Sequence, residues 1–372
     1  MSKFSHEDEQ HLRRALQLAA RGQGYVEPNP MVGCVIASHG RVIGEGYHHR
    51  FGGPHAEVDA LRRCTATPRG ATVYVTLEPC CHYGKTPPCT EALIGAEVAR
   101  VVAPLEDPNP AVAGGGFARL RKAGIRTDVG LLREEVARLN APFFKLVQRH
   151  RPWVILKWAQ SLDGKIATRM GESKWITDEV CRAHAHRTRG RVDAIVVGIG
   201  TVLRDDPLLT CRAGRPRRIV TRVVLDTNLR TPATSHLVRT ARDIPTWVFC
   251  SRGASARRAA VLEKAGCVLH HVARTRHGVS LPAVLDTLGR NAMTNVLVEG
   301  GGTVLGRFFD ERLADELHVY IAPLLIGGRA APGPLNARGV AKVAESLRLS
   351  GRATLQRLGN GCLLVARASS AK

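Results

Sequence analysis

Two α/β domains joined near residue 150 are what this sequence predicts, and three observations carry that reading. The 372 residues exceed what one compact core ordinarily takes. Short apolar strands alternate with amphipathic helices along the chain, as sheets covered by helices do. The alternation breaks at the basic, turn-like stretch 148–152. The domains are therefore expected at residues 1–150 and 151–372.

The elements follow in order. His6 to Arg21 places Leu12, Ala15, Leu16 and Ala19 on one helical face, with Ser5 as cap and Gly22 as stop. Strands over 31–37 and 41–46 are joined by the turn Ser38-His39-Gly40. A helix over 55–64, a strand over 71–77, a helix opening at Pro87, a strand over 98–104, a helix over 116–123, a short strand and a helix over 133–147 complete the first half. In the second half, strands are expected over 153–159, 194–197, 223–226, 246–250, 268–272 and 295–299. Helices are expected over 178–188, 254–265 and 281–290.

Composition excludes several classes. No apolar run approaches the eighteen or so residues of a membrane span, and residues 1–10 lack the order of a secretion signal, so a cytoplasmic protein is expected. Its ten cysteines are then thiols, with Cys34 and Cys250 simply buried. The net charge is +22, and it is uneven: 19 basic against 15 acidic residues over 1–150, 35 against 17 over 151–372. Such an excess suits nucleic acid or phosphorylated small molecules. The basic residues are scattered and aromatics are only 5% of the chain, which favours a phosphate-bearing ligand.

One constellation carries chemistry. His55-Ala56-Glu57 sits at a helix start, and Glu78-Pro79-Cys80 ends a strand before Cys89 opens another helix. One imidazole and two thiolates are three tetrahedral ligands for Zn²⁺, leaving a position for water. A helix N-terminus favours the ionised thiols. Glu57, beside the metal but not on it, can carry protons between water and a departing amine. H-x-E followed by P-C-x-x-C is the signature of zinc deaminases of nucleobases; here eight residues separate Cys80 from Cys89. Cys81 or His82 could supply a ligand instead, and a fourth protein ligand such as His82 would make the site structural.

In the second half, Leu156 to Lys165 is a strand entering a polar turn, and Gly198 to Pro207 a strand ending in a glycine-bearing loop. Val298 to Leu305 reads as strand, glycine run and helix. Glycines there let backbone approach a phosphate at a helix N-terminus, though a lone glycine run equally makes a turn.

The chain resembles the bifunctional riboflavin-biosynthesis deaminase–reductases through Pro28-Asn29-Pro30-Met31-Val32-Gly33-Cys34, His55-Ala56-Glu57 and the segment from Thr76 to Cys89 (TLEPCCHYGKTPPC). The resemblance continues through the second half and explains the wider cysteine spacing. It implies a cytidine-deaminase-like three-layer domain followed by a dihydrofolate-reductase-like domain. Zinc would be held by His55, Cys80 and Cys89, Glu57 would shuttle protons, and Asn29 would contact the pyrimidine. NADPH contacts are implied for Ala159, Trp175, Thr201, Asp205, Thr227, Gly301, Gly302, Thr303, Val304, Leu305, Gly306 and Arg307. Substrate contacts are implied for Ser173, Arg189, Leu209, Arg212 and Glu299, the two arginines as phosphate clamps. The implied reactions are deamination of 2,5-diamino-6-ribosylamino-4(3H)-pyrimidinone 5′-phosphate, then reduction of its ribosyl to a ribityl chain. Lys157 and Asp205 are candidates for the acid of the second step. A homo-oligomer is expected, and the stretch 213–222 matches nothing assigned. The rival reading is a nucleic-acid base deaminase with an accessory basic domain.

Overall fold

The computed structural model describes residues 3–109 and 112–369. The chain divides into two compact units, residues 1–150 and 151–372.

The first unit runs α1 (His6–Ala19), β1 (Gly33–Ser38), β2 (Arg41–Tyr47), α2 (Ala56–Arg62), β3 (Thr72–Val75), α3 (Cys89–Gly95), β4 (Arg100–Ala103), α4 (Gly115–Lys122), β5 (Arg126–Val129), α5 (Arg133–Leu139) and α6 (Ala141–Arg149). Its five strands lie in the order β2-β1-β3-β4-β5. Period-two alternation decides the layering. Val35 and Ala37 pack with Leu12, Ala15 and Leu18 of α1. Cys34 and Ile36 pack on the opposite face with Ala56, Ala60, Leu93 and Phe117 of α2, α3 and α4. Three layers result. Ser5 caps α1 with a reciprocal bond to Asp8, and Asp8 accepts from Arg100 of β4 and from Tyr74 of β3. The helix expected over 133–147 is two helices. Pro142 follows the break, and Asn140 spends its amide on Met31, accepting from its N–H at 2.8 Å and donating to its carbonyl at 2.9 Å.

The second unit runs β6 (Trp153–Ser161), α7 (Glu179–Arg189), β7 (Ala194–Gly198), α8 (Ile199–Asp205), β8 (Thr221–Leu225), α9 (His236–Arg239), β9 (Thr246–Ser251), α10 (Ala256–Lys264), β10 (Val268–Val272), the small hairpin β11 (Arg274–Thr275) and β12 (Gly278–Val279), α11 (Leu281–Arg290), β13 (Asn295–Glu299), α12 (Gly302–Asp310), β14 (Glu316–Ala322), β15 (Leu349–Leu358) and β16 (Gly361–Ala368). Its main sheet has the order β10-β9-β8-β7-β13-β6-β14-β16-β15. The seven strands from β10 to β14 pair in parallel, and β16 and β15 close the edge antiparallel. Both faces of the parallel part are apolar: α11 and α12 cover one, α8, α9 and α10 the other.

The loop expected after β7 is the helix α8, and β14, β15 and β16 had no counterpart in the sequence reading. The basic stretch 213–222 ends in a structural residue. Arg222 is 0% exposed and donates to the carbonyls of Leu237, Thr240 and Ile244. Burial pulls its guanidinium down to about 10.

Candidate functional site

In the first unit the loop after β2 and the start of α2 meet the loop between β3 and α3. His55 occupies the cap position of α2, and Cys89 is the first residue of α3. His55 Nδ1 lies 3.2 Å from Cys89 Sγ and 3.5 Å from Cys80 Sγ. The three ligand atoms fall within 4.8 Å of one another, and among the described residues this is the cluster of His, Cys, Asp and Glu suited to a metal. Neighbouring nitrogen and sulfur ligands on a tetrahedral zinc, at about 2.0 and 2.3 Å, stand about 3.5 Å apart. The donor set fits the ion.

The Cys89 thiol hydrogen-bonds Cys80, and His55 and the Cys89 N–H do so too, the latter at 3.3 Å; together they bring Cys80 down to about 4. Cys89, hydrogen-bonded to that thiolate and buried, is pushed up. His55 is raised by its bond to Cys80. Glu57 is 3% exposed, and burial followed by the Cys80 charge pushes it up to about 7.

A cavity of about 270 Å³ opens on this cluster, with Asn29, His48, Glu57, Lys85 and Asn109 on its wall. His48 is buried, donates or accepts at Asn29 (3.3 Å) and bonds the Pro54 carbonyl at 2.9 Å. Glu78 accepts the N–H groups of Asp107, Gly114 and Phe117 at 2.9–3.0 Å, which ties the far wall to the metal loop.

The second unit holds a cavity of about 990 Å³ at the C-terminal ends of β6, β13, β7 and β8, where ligands bind in open α/β sheets. On its floor Arg189 grips Glu299 with two bonds, 2.8 Å from Nε and 2.6 Å from Nη2, and Lys157 Nζ stands 3.9 Å away. Burial alone would raise Glu299; the Arg189 and Lys157 charges overcome it and hold the carboxyl at about 2. Burial pulls Lys157 down despite Glu299. The glycine run has divided duties. Gly300 has φ +138°, a conformation only glycine takes easily, and a Cβ at Gly302 would lie 2.6 Å from the Gly333 carbonyl. Gly301 has nothing within 4 Å of a Cβ, so it is the position whose backbone lies open to a ligand.

Two family models match. The cytidine and deoxycytidylate deaminase zinc-binding region matches residues 5–104, and the RibD C-terminal domain matches residues 152–364. The riboflavin biosynthesis protein RibD of Actinobacillus pleuropneumoniae is 41% identical over 358 residues, covering 96% of this chain and 94% of its own. That of Escherichia coli is 41% identical over 352 residues, 91% and 94%. The chain belongs to the RibD family. An Acinetobacter baumannii RibD structure superposes with a TM-score of 0.85 at 37% identity, covering 98% of this chain and 99% of that one. A diaminohydroxyphosphoribosylaminopyrimidine deaminase/5-amino-6-(5-phosphoribosylamino)uracil reductase of Thermotoga maritima gives 0.84 at 36%, with the same coverage.

As a RibD protein the chain is a bifunctional enzyme of riboflavin biosynthesis, with an N-terminal zinc-dependent deaminase domain and a C-terminal NADPH-dependent reductase domain. The second domain is thus a reductase rather than an accessory basic module. No helix among the described residues is long and apolar enough to cross a membrane.

The structure places most of the expected RibD site residues on the two walls. Asn29, His55, Glu57 and Cys80 line the smaller cavity. Ala159, Ser173, Trp175, Arg189, Thr201, Asp205, Leu209, Arg212, Thr227, Glu299, Gly301, Gly302, Thr303, Val304 and Arg307 line the larger. Leu305 and Gly306 do not. Leu305 is 0% exposed in the core, and Gly306 faces Ala337, 2.7 Å from a Cβ; a helix turns these positions away from the ligand side. Arg189 lines the cavity and also gives two of its donors to Glu299. Cys81 and His82 stand outside the ligand cluster. His48, Glu78 and Lys85 went unread because a lone histidine, acid or lysine in a loop carries no spacing signal.

Proposed function

We propose that the chain converts the diaminopyrimidine ribotide to the ribitylaminouracil phosphate in two sites, one per domain. His55, Cys80 and Cys89 hold the zinc, which when bound activates water by Lewis acidity. Glu57 would take a proton from the attacking water and give one to the departing amino group, so that ammonia would leave and the ring would become a uracil. Asn29 and His48 orient the pyrimidine edge, and Lys85 offers the phosphate a cation.

In the reductase domain NADPH supplies the hydride. Gly301 and the N-terminus of α12 receive its phosphates. Glu299, kept ionised by Arg189 and Lys157, accepts hydrogen bonds from ribosyl hydroxyls; Lys157 is the better candidate than Asp205 for proton donor, being buried on the floor beside Glu299. Arg212 clamps the substrate phosphate. The observation that carries this reading is the convergence of His55, Cys80 and Cys89 beside a buried Glu57. Ten free cysteines suit the reducing cytoplasm. We place the enzyme there as a homo-oligomer, with Leu349 and Leu355 exposed on the edge strand β15 as a face for a second copy.

The test is metal analysis paired with substrate. Purified protein carries close to one zinc per chain and oxidises NADPH when given the diaminopyrimidine ribotide. Cys89→Ser loses the zinc and still binds NADPH. Full zinc occupancy in Cys89→Ser contradicts the ligand assignment.

A further inference from the structure

The larger cavity has two ends, and the sheet order says which half of a dinucleotide each receives. From β7 the chain winds outward through β8, β9 and β10, while β13, β6 and β14 lie on the other side. The reversal between β7 and β13 is the switch point, where a pyrophosphate belongs, next to the helix N-terminus at Gly301–Gly302. Lys157, Arg189 and Glu299 mark the redox end on the β6–β13 side. The adenosine half therefore extends the other way, across the end of β8.

That end is built from two loops tied together. The hairpin β11–β12 is pinned to the turn after β8 by a bond from the Val279 N–H to Thr227 Oγ1 (3.1 Å). Arg307 holds the same strand, donating to the Val279 carbonyl at 2.8 Å. Thr227, Asn228, Arg230 and His277 consequently share one stretch of cavity wall. Arg276 Nε donates to His277 Nε2 at 2.8 Å, which leaves Nδ1–H of that ring as a donor. Arg230 and His277 are both exposed.

The carboxylate at this end is withdrawn. A site for an unphosphorylated adenosine ribose presents an acid to the ribose hydroxyl, whereas a 2′-phosphate needs a cation. Asp226 is 0% exposed; its Oδ2 accepts from the Thr231 N–H and hydroxyl at 2.7 and 2.8 Å, and its Oδ1 is buried as well. The stretch of wall formed by Thr227, Asn228, Arg230 and His277 offers two cations and no acid, while Asp205 and Asp206 line the cavity from the end of α8.

We propose that Arg230 and His277 form the subsite for the 2′-phosphate and set the preference for NADPH over NADH. The inference rests on the reductase reading above. The test is direct binding to the full chain, by quenching of tryptophan fluorescence, of NADPH, NADH and the probe 2′,5′-ADP. Arg230→Ala and His277→Ala each weaken NADPH and 2′,5′-ADP roughly tenfold or more, as loss of a charge-assisted contact does, and leave NADH unchanged. Both side chains are exposed, so thermal melting of the variants matches the parent. Equal weakening of NADPH and NADH, or no change in either, overturns the assignment. A parent chain that binds NADH as tightly as NADPH overturns it through the underlying cofactor reading instead, and the two failures are distinct.

Discussion

The two sites of this chain are built by opposite strategies. The metal cluster of the deaminase centre is drawn from residues 55 to 89, and its chemistry restricts residue types: the ligands are an imidazole and two thiols, with the Glu57 carboxyl buried beside them. The reductase cavity is drawn from Lys157 to Asn336, and much of its wall is backbone and shape. A metal site therefore concentrates its information in a few side chains, while a dinucleotide cleft spreads it over strand ends and turns. Single substitutions should accordingly cost far more in the first than in the second.

The largest expected effect follows from that contrast. Glu57→Gln keeps the size of the side chain and removes its proton transfer, so deamination falls by about 10²–10⁴-fold while the zinc content stays. Ammonia release and metal analysis on one preparation check it, and survival of deamination within tenfold assigns the shuttle elsewhere. In the reductase cavity Arg212→Ala removes one contact among many. The Michaelis constant of the deaminated substrate rises roughly tenfold to a hundredfold, and the turnover number changes little. A loss of turnover as large as that of Glu57→Gln would break the comparison.

A smaller effect is on stability. Glu299 is held at about 2 against an ordinary 4.5. A carboxyl lowered by folding stabilises the fold fully above its unfolded value, and that contribution disappears as pH falls from about 4.5 through about 2. Acid unfolding of the reductase domain is therefore expected to steepen in this window, and Glu299→Gln to flatten it, with the midpoint at neutral pH lowered because Arg189 is left buried and unpaired. Circular dichroism against pH reads both.

The same contrast explains what was legible in advance. The α1 helix, its Ser5 cap and the strand alternation of β1 were readable because local periodicity and capping chemistry specify them. The ligand cluster was readable because its residue types are scarce. The break at Asn140 was not, since it depends on a bond to Met31 more than a hundred residues away in sequence. Nor was the grip of Arg189 on Glu299, 110 positions apart, which depends on α7 and β13 meeting in the fold. The glycine run was legible as a motif, while the unequal roles of Gly300, Gly301 and Gly302 depend on φ and on neighbours from distant turns. The edge strand β15 escaped because its exposed face blurs the apolar alternation, as at Leu349 and Leu355.

The central claim is that two chemistries occupy two separate sites, and metal removal tests it most directly. The full chain is stripped of zinc with a chelator, and its folding is verified by its melting curve. Each step is then assayed with its own substrate: ammonia release from the diaminopyrimidine ribotide, and NADPH oxidation with the deaminated product supplied. The account predicts that ammonia release vanishes and returns with added zinc, while NADPH oxidation continues at the rate of the untreated enzyme. Loss of both activities in stripped, folded protein would contradict it and show that the two reactions share one centre.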